Sequence, residues 1–157
     1  KEEIPHQEYY LDFDQRHDIA VNINLNIPKD QGPEISGIQP FSDVNLNILF
    51  QAGSGLPYTP FVDPTVRIDV NSARKPWTST VDLRMIKKVW FSSVATSFFL
   101  EVKNLLDAQN VRYVYSRTGK PFDTGVSGLV GSSPDADHNP AYVGPPRMIS
   151  AGVQFIW

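Results

Sequence analysis

The chain has 157 residues, a formal net charge of −3 and no cysteine. The acidic balance argues against a nucleic-acid partner, since phosphate binding needs a basic face, and the lack of thiols removes disulfides, thiolate metal sites and thiol catalysis together. Hydrophobic residues make up 41% of the chain beside 13 Pro and 10 Gly, and no apolar run reaches the roughly 18 residues of a membrane helix.

Lys1, Glu2, Glu3, Ile4 and Pro5 lack both a Met and the apolar core of a signal peptide, so the expectation is an internal cut with native polypeptide upstream. The first element is a strand over Asp18–Ile27, where Ile19, Val21, Ile23, Leu25 and Ile27 alternate with Asp18, Ala20, Asn22, Asn24 and Asn26. Residues 28–43 form a Pro/Gly-containing connection. The second strand sets Val44, Leu46, Ile48, Phe50 and Ala52 against Asn45, Asn47, Leu49 and Gln51. After the longer loop 60–76, Val81, Leu83 and Met85 form a third apolar row opposite Asp82 and Arg84. Residues 90–95 are short enough for a hairpin. The fourth strand sets Phe98, Leu100 and Val102 against Ser97, Phe99, Glu101 and Lys103. Asn104, Leu105, Leu106 and Asp107 suit a helical turn or a bulge. Beyond the longest loop, 119–146, the last strand sets Ile149, Ala151, Val153, Phe155 and Trp157 against Ser150, Gly152 and Gln154. No helical period is sustained, so residues 1–157 read as one all-β domain fragment.

A soluble sandwich or lipocalin-like barrel also alternates. Three features favour an antiparallel, up-and-down transmembrane β-barrel segment of about five strands. The alternating stretches fit the roughly 9–11 residues of a tilted spanning strand. Aromatics gather at strand ends: Tyr9, Tyr10, Phe13, Tyr58, Phe61, Trp77, Tyr113, Tyr115 and Tyr142 on the long-loop side, and Phe41, Trp90, Phe91, Phe155 and Trp157 on the other. Such belts sit at the two headgroup layers. The polar rows suit a wet lumen.

Several motifs then resemble one family. Asp12-Phe13-Asp14-Gln15-Arg16-His17, Gln51-Ala52-Gly53-Ser54-Gly55-Leu56-Pro57-Tyr58-Thr59-Pro60, Asp82-Leu83-Arg84, the run from Phe99 through Asn104-Leu105-Leu106-Asp107, and Gly144-Pro145-Pro146-Arg147 before an aromatic terminal strand are similar, in this order, to the last strands of TonB-dependent outer-membrane receptors. The subgroup with a carboxypeptidase-like amino-terminal extension is the most similar. The resemblance implies a 22-stranded barrel with a plugged lumen, importing a scarce nutrient with energy delivered by TonB. It implies as partners the remaining strands and plug of the same protein, TonB through the upstream region, the outer-membrane assembly machinery and the lipid bilayer. The implied location is the bacterial outer membrane.

Ser150, Gly152, Phe155 and Trp157 resemble the terminal signal by which barrel precursors are recognised for assembly; an ordinary strand ending in aromatics is the plainer alternative. Asp82, Arg84, Glu101 and Lys103 form a candidate charged row facing the lumen, where mutual pairing across the hairpin is preferred to contact with a plug. Asp14 and Arg16 suit an ion pair at the barrel rim, with His17 on the other face. Asp123, Asp135, Asp137 and His138 offer oxygen and imidazole ligands, but their spacing makes no full metal set and a solvated loop is preferred. Of the three histidines, His6, His17 and His138, none lies in a nucleophile motif. No catalytic residue or cofactor is therefore expected. A porin or surface adhesin is the binding-class alternative, and an outer-membrane hydrolase the enzyme alternative.

Overall fold

The computed structural model describes residues 8–62, 65, 68–91, 94–126 and 138–156. Among these residues seven strands form: β1 (Asp18–Ile27), β2 (Val44–Gly53), β3 (Pro57–Tyr58), β4 (Ala73–Arg74), β5 (Thr78–Phe91), β6 (Val94–Lys103) and β7 (Met148–Ile156). Five of them make one antiparallel sheet in the order β1-β2-β5-β6-β7, and the sheet does not close on itself. The order follows the chain, as an up-and-down meander requires. The chain is all-β, and among the described residues no helix is long and apolar enough to cross a membrane.

The backbone falls into two compact units. One comprises Ile19–Ala52, Ser79–Ala108 and Pro145–Trp157 and carries most of the sheet. Strict alternation explains its strands, because period two turns successive side chains to opposite faces. Within the connection from β1 to β2, Ile35 and Ile38 exchange both backbone hydrogen bonds, at 2.8 and 3.1 Å. Ser36 and Gly37 between them have φ of 53° and 78°, the two positive values that a type I′ hairpin turn needs. β5 is 14 residues long, longer than the apolar row at 81–85 indicated, and it runs on to place Phe91 opposite Val94.

Burial in this unit is sparse. Among the described residues the buried apolar side chains are Val44, Ala95 and Val102. The apolar rows of the outer strands are exposed, with Ile23 at 57%, Ile149 at 66% and Phe155 at 61%.

The other unit comprises Lys1–Asp18, Gly53–Thr78 and Gln109–Gly144, the segments before β1, between β2 and β5, and between β6 and β7. Here β3 and β4 form a short antiparallel ribbon, Pro57 opposite Arg74 and Tyr58 opposite Ala73, where the sequence indicated only a loop. Residues 110–113 run antiparallel to 142–144: Val111 bridges Val143, and Gly144 N–H donates to the Asn110 carbonyl at 2.7 Å. Asn139 caps the 3-10 turn Pro140–Tyr142 by accepting from the Ala141 N–H at 3.0 Å. Asn71 ties the first two of these segments together. Its amide donates to the Tyr10 carbonyl and to Asp12, both at 2.7 Å, and its own N–H reaches Thr59 Oγ1 at 3.0 Å.

Candidate functional site

Strand register sorts the sheet's side chains into two faces, because directly opposed residues point the same way. Between β1 and β2, Asn47 donates to Asn22 at 2.6 Å and Asn45 to Asn24 at 3.2 Å. These asparagines share one face. By alternation, Ile19, Val21, Ile23 and Leu25 share the other with Leu46, Ile48 and Phe50. Across β5, β6 and β7 the same division continues. Leu83, Val102 and Ile149 form one row, and Met85, Leu100 and Ala151 the next. On the opposite face, Arg84, Glu101 and Ser150 lie side by side, as do Lys88, Ser97 and Gln154.

The division is not complete, since Ile86 and Phe99 oppose each other on the polar face; two further departures have an evident reason. Lys87 falls in the apolar row beside Phe98 and Val153. Its ammonium reaches the Ser42 carbonyl, so the stem covers apolar surface while the charge finds an oxygen. Trp90 is opposite Ala95 and therefore shares the face of Arg84 and Glu101, not the apolar rows that an interfacial belt would extend. Its indole donates to Asp43 at 2.8 Å, and Lys29 Nζ stands 4.6 Å from the ring centroid. The polar tip of the ring is satisfied by protein.

Of the charged row, Arg84 and Glu101 are directly opposed, yet no ion pair is formed between them. Asp82 instead accepts from the Asn104 N–H at 2.8 Å. Lys103 lies opposite Met148. The four side chains share a face without forming a closed network.

The carboxy-terminal signature is placed in part. Ser150 and Gly152 share the polar face; Phe155, opposite Thr96, continues the apolar rows. Trp157 lies outside the described residues. Gly152 has a specific neighbour: the Phe99 ring covers it, so that a Cβ there would stand 2.4 Å from Phe99 Cε1. An aromatic across from a strand glycine supplies the packing that the missing side chain cannot.

A further cluster joins two motifs that the sequence shows 40 residues apart. Asn104 is 5% exposed with φ of 52°. Its amide nitrogen donates to the Ala108 and Pro145 carbonyls at 3.0 and 3.2 Å, and its amide oxygen accepts from the Ala108 N–H at 2.9 Å. Asp107 closes the turn through its N–H to the Asn104 carbonyl and accepts from the Arg147 N–H at 2.8 Å. The Arg147 guanidinium donates to the Leu105 carbonyl at 3.3 Å. The turn at 104–107 therefore clasps the segment that leads into β7. The signal for it was the Asn-x-x-Asp spacing, since both residues tolerate positive φ and bond to local backbone.

In the loop-rich unit, Asp14 pairs with Arg74, not with the Arg16 expected from spacing. Residues 14–17 precede β1, so strand alternation does not apply to them. Arg16 instead lies 4.9 Å from the Tyr10 ring, and His17 stacks on Trp77 at 5.8 Å. Tyr115 and Tyr142 pack at 4.9 Å between centroids. Of the candidate metal ligands, Asp135 and Asp137 lie outside the described residues. Asp123 is engaged by the Gly125 N–H at 2.9 Å and the Lys120 ammonium at 3.4 Å, and His138 stacks on Phe122. Among the described residues no group of three or more metal-binding side chains forms. No family model, curated protein or solved structure matches this chain.

Proposed function

We propose that the chain is the carboxy-terminal part of the β-barrel domain of a TonB-dependent outer-membrane receptor that imports a scarce nutrient. The observation that carries the membrane half of this reading is the segregation of the sheet. Apolar rows occupy one face across its strands, and Ile23, Ile149 and Phe155 remain exposed there. A soluble sandwich buries such rows against a second sheet about 10 Å away; a barrel turns them to lipid and its polar rows to the lumen.

Strands β1 and β7 are the sheet's two edges. In a bilayer every backbone polar group needs a partner, and bacterial barrels start at about 8 strands. Both edges would therefore pair with the remaining strands of the same protein. The choice of receptor over porin rests on the ordered motifs from Asp12 to Trp157. It brings with it a plug, TonB and the assembly machinery as partners. No catalytic role is proposed.

Planar-bilayer recording of the intact protein tests the choice. A plugged receptor is silent after insertion and conducts only when denaturant displaces the plug, whereas a porin conducts from the moment of insertion.

A further inference from the structure

The loop-rich unit contains a pocket of about 440 Å³, within the range of about 300–1,000 Å³ typical of small-molecule sites. Gln15, Ser54, Leu56, Lys75, Arg112 and Tyr113 supply most of its chemistry. Two of these are cations and no lining residue is acidic, although the chain as a whole carries a formal net charge of −3. The neighbouring carboxylate of Asp14 is already taken by Arg74.

Backbone contacts hold the walls. Lys75 N–H donates to the Leu56 carbonyl at 3.0 Å. Gly55 approaches Lys75 so closely that a Cβ would overlap its carbonyl oxygen, at 1.7 Å. Arg112 and Tyr113 both donate their N–H groups to the Tyr142 carbonyl, at 2.8 and 3.1 Å. Lys75, Arg112 and Ser54 bring donor-bearing side chains to the lining. The Lys75 ammonium spends one proton on the Arg112 carbonyl at 2.9 Å, and an ammonium has three to give. Ser54 Oγ accepts from the His17 N–H at 3.0 Å, so its own proton remains for donation. The Tyr113 ring, with Lys75 Nζ 5.5 Å from its centroid, and Leu56 add an apolar wall.

We propose that this pocket binds a small oxyanion-bearing molecule with an apolar body. Lys75 and Arg112 neutralise the oxyanion, Ser54 orients it, and Tyr113 with Leu56 covers the remainder. This site is independent of the membrane reading, because every group in it belongs to one unit.

The test is ¹⁹F NMR line broadening of 4-fluorobenzoate, with 4-fluorobenzamide as the neutral probe of the same shape, on the intact protein. Benzoate should broaden and benzamide should not. Arg112→Gln should weaken benzoate about ten-fold, the usual scale for loss of a charge-assisted contact, and Arg112→Lys should restore part of the loss. Arg112→Gln leaves the Lys75 anchor in place, because that bond is made to a backbone carbonyl. Equal broadening by both probes, no broadening by either at millimolar concentration, or benzoate binding indifferent to Arg112→Gln would each overturn the proposal.

Discussion

Asn104 offers the sharpest local prediction, because one buried side chain there makes three hydrogen bonds and sits at positive φ. Truncation in Asn104→Ala removes all three bonds, at about 0.5–1.5 kcal/mol each. It also places an ordinary Cβ residue in left-handed backbone without the local bonding that makes Asn tolerable there, which adds about 1 kcal/mol. Because the three bonds share one side chain, their contributions overlap, and the expected total is about 3 kcal/mol. Asn104→Gly loses the same bonds but adopts the backbone freely, so it should be about 1 kcal/mol milder than Ala. The assay is denaturant unfolding of the intact protein after reconstitution, with Asn104→Asp as a variant that keeps the acceptor and loses both donors. A loss below about 1 kcal/mol for Ala, or a Gly variant less stable than Ala, would refute the clasp as an organiser of the turn and its link to Pro145.

Other predictions concern the two faces. Gly152→Val should cost about 1–3 kcal/mol by overpacking, and most of that cost should vanish in a Phe99→Ala background; a double-mutant cycle in the same unfolding assay measures this. Ile48→Arg should destabilise the folded protein in bilayers by about 2–4 kcal/mol near the midplane. Asn47→Arg should lose about 1 kcal/mol, the hydrogen bond to Asn22, and little else. Replacing Phe155 and Trp157 by Ser should lower outer-membrane abundance more than the heat stability of the inserted fraction, as immunoblots of membrane fractions before and after heating will report.

Which parts of this were legible in the sequence follows from the range of the interactions concerned. Period two is local, and it located β1, β2, β6 and β7 and kept their apolar rows together once the strands paired. It also separated Asn22 and Asn24 from Ile23, although not their bonds to Asn47 and Asn45. The face of Trp90 was less legible: its position near a strand end suggested an interfacial ring, while its parity with Arg84 and its bond to Asp43 depend on where β5 starts and pairs. Asp14 shows the limit of spacing. Arg16 is nearer in sequence, but the β3–β4 ribbon carries Arg74 to it across 60 positions. The clasp of Asn104 on Pro145 and the pocket around Lys75 and Arg112 arise in the same way, from chain segments whose meeting no local pattern encodes.

Spin-label accessibility along β1 distinguishes a sheet that spans a bilayer from one that packs in a protein core. The chain contains no cysteine, so single cysteines at positions 21 to 25 can each carry a label in the intact protein within native membranes. If the sheet spans a bilayer, labels replacing Val21, Ile23 and Leu25 will collide strongly with dissolved oxygen and weakly with a polar nickel complex, while those replacing Asn22 and Asn24 will do the reverse. Labels at Val21, Ile23 and Leu25 shielded from both reagents would place that row in a protein core and contradict the account.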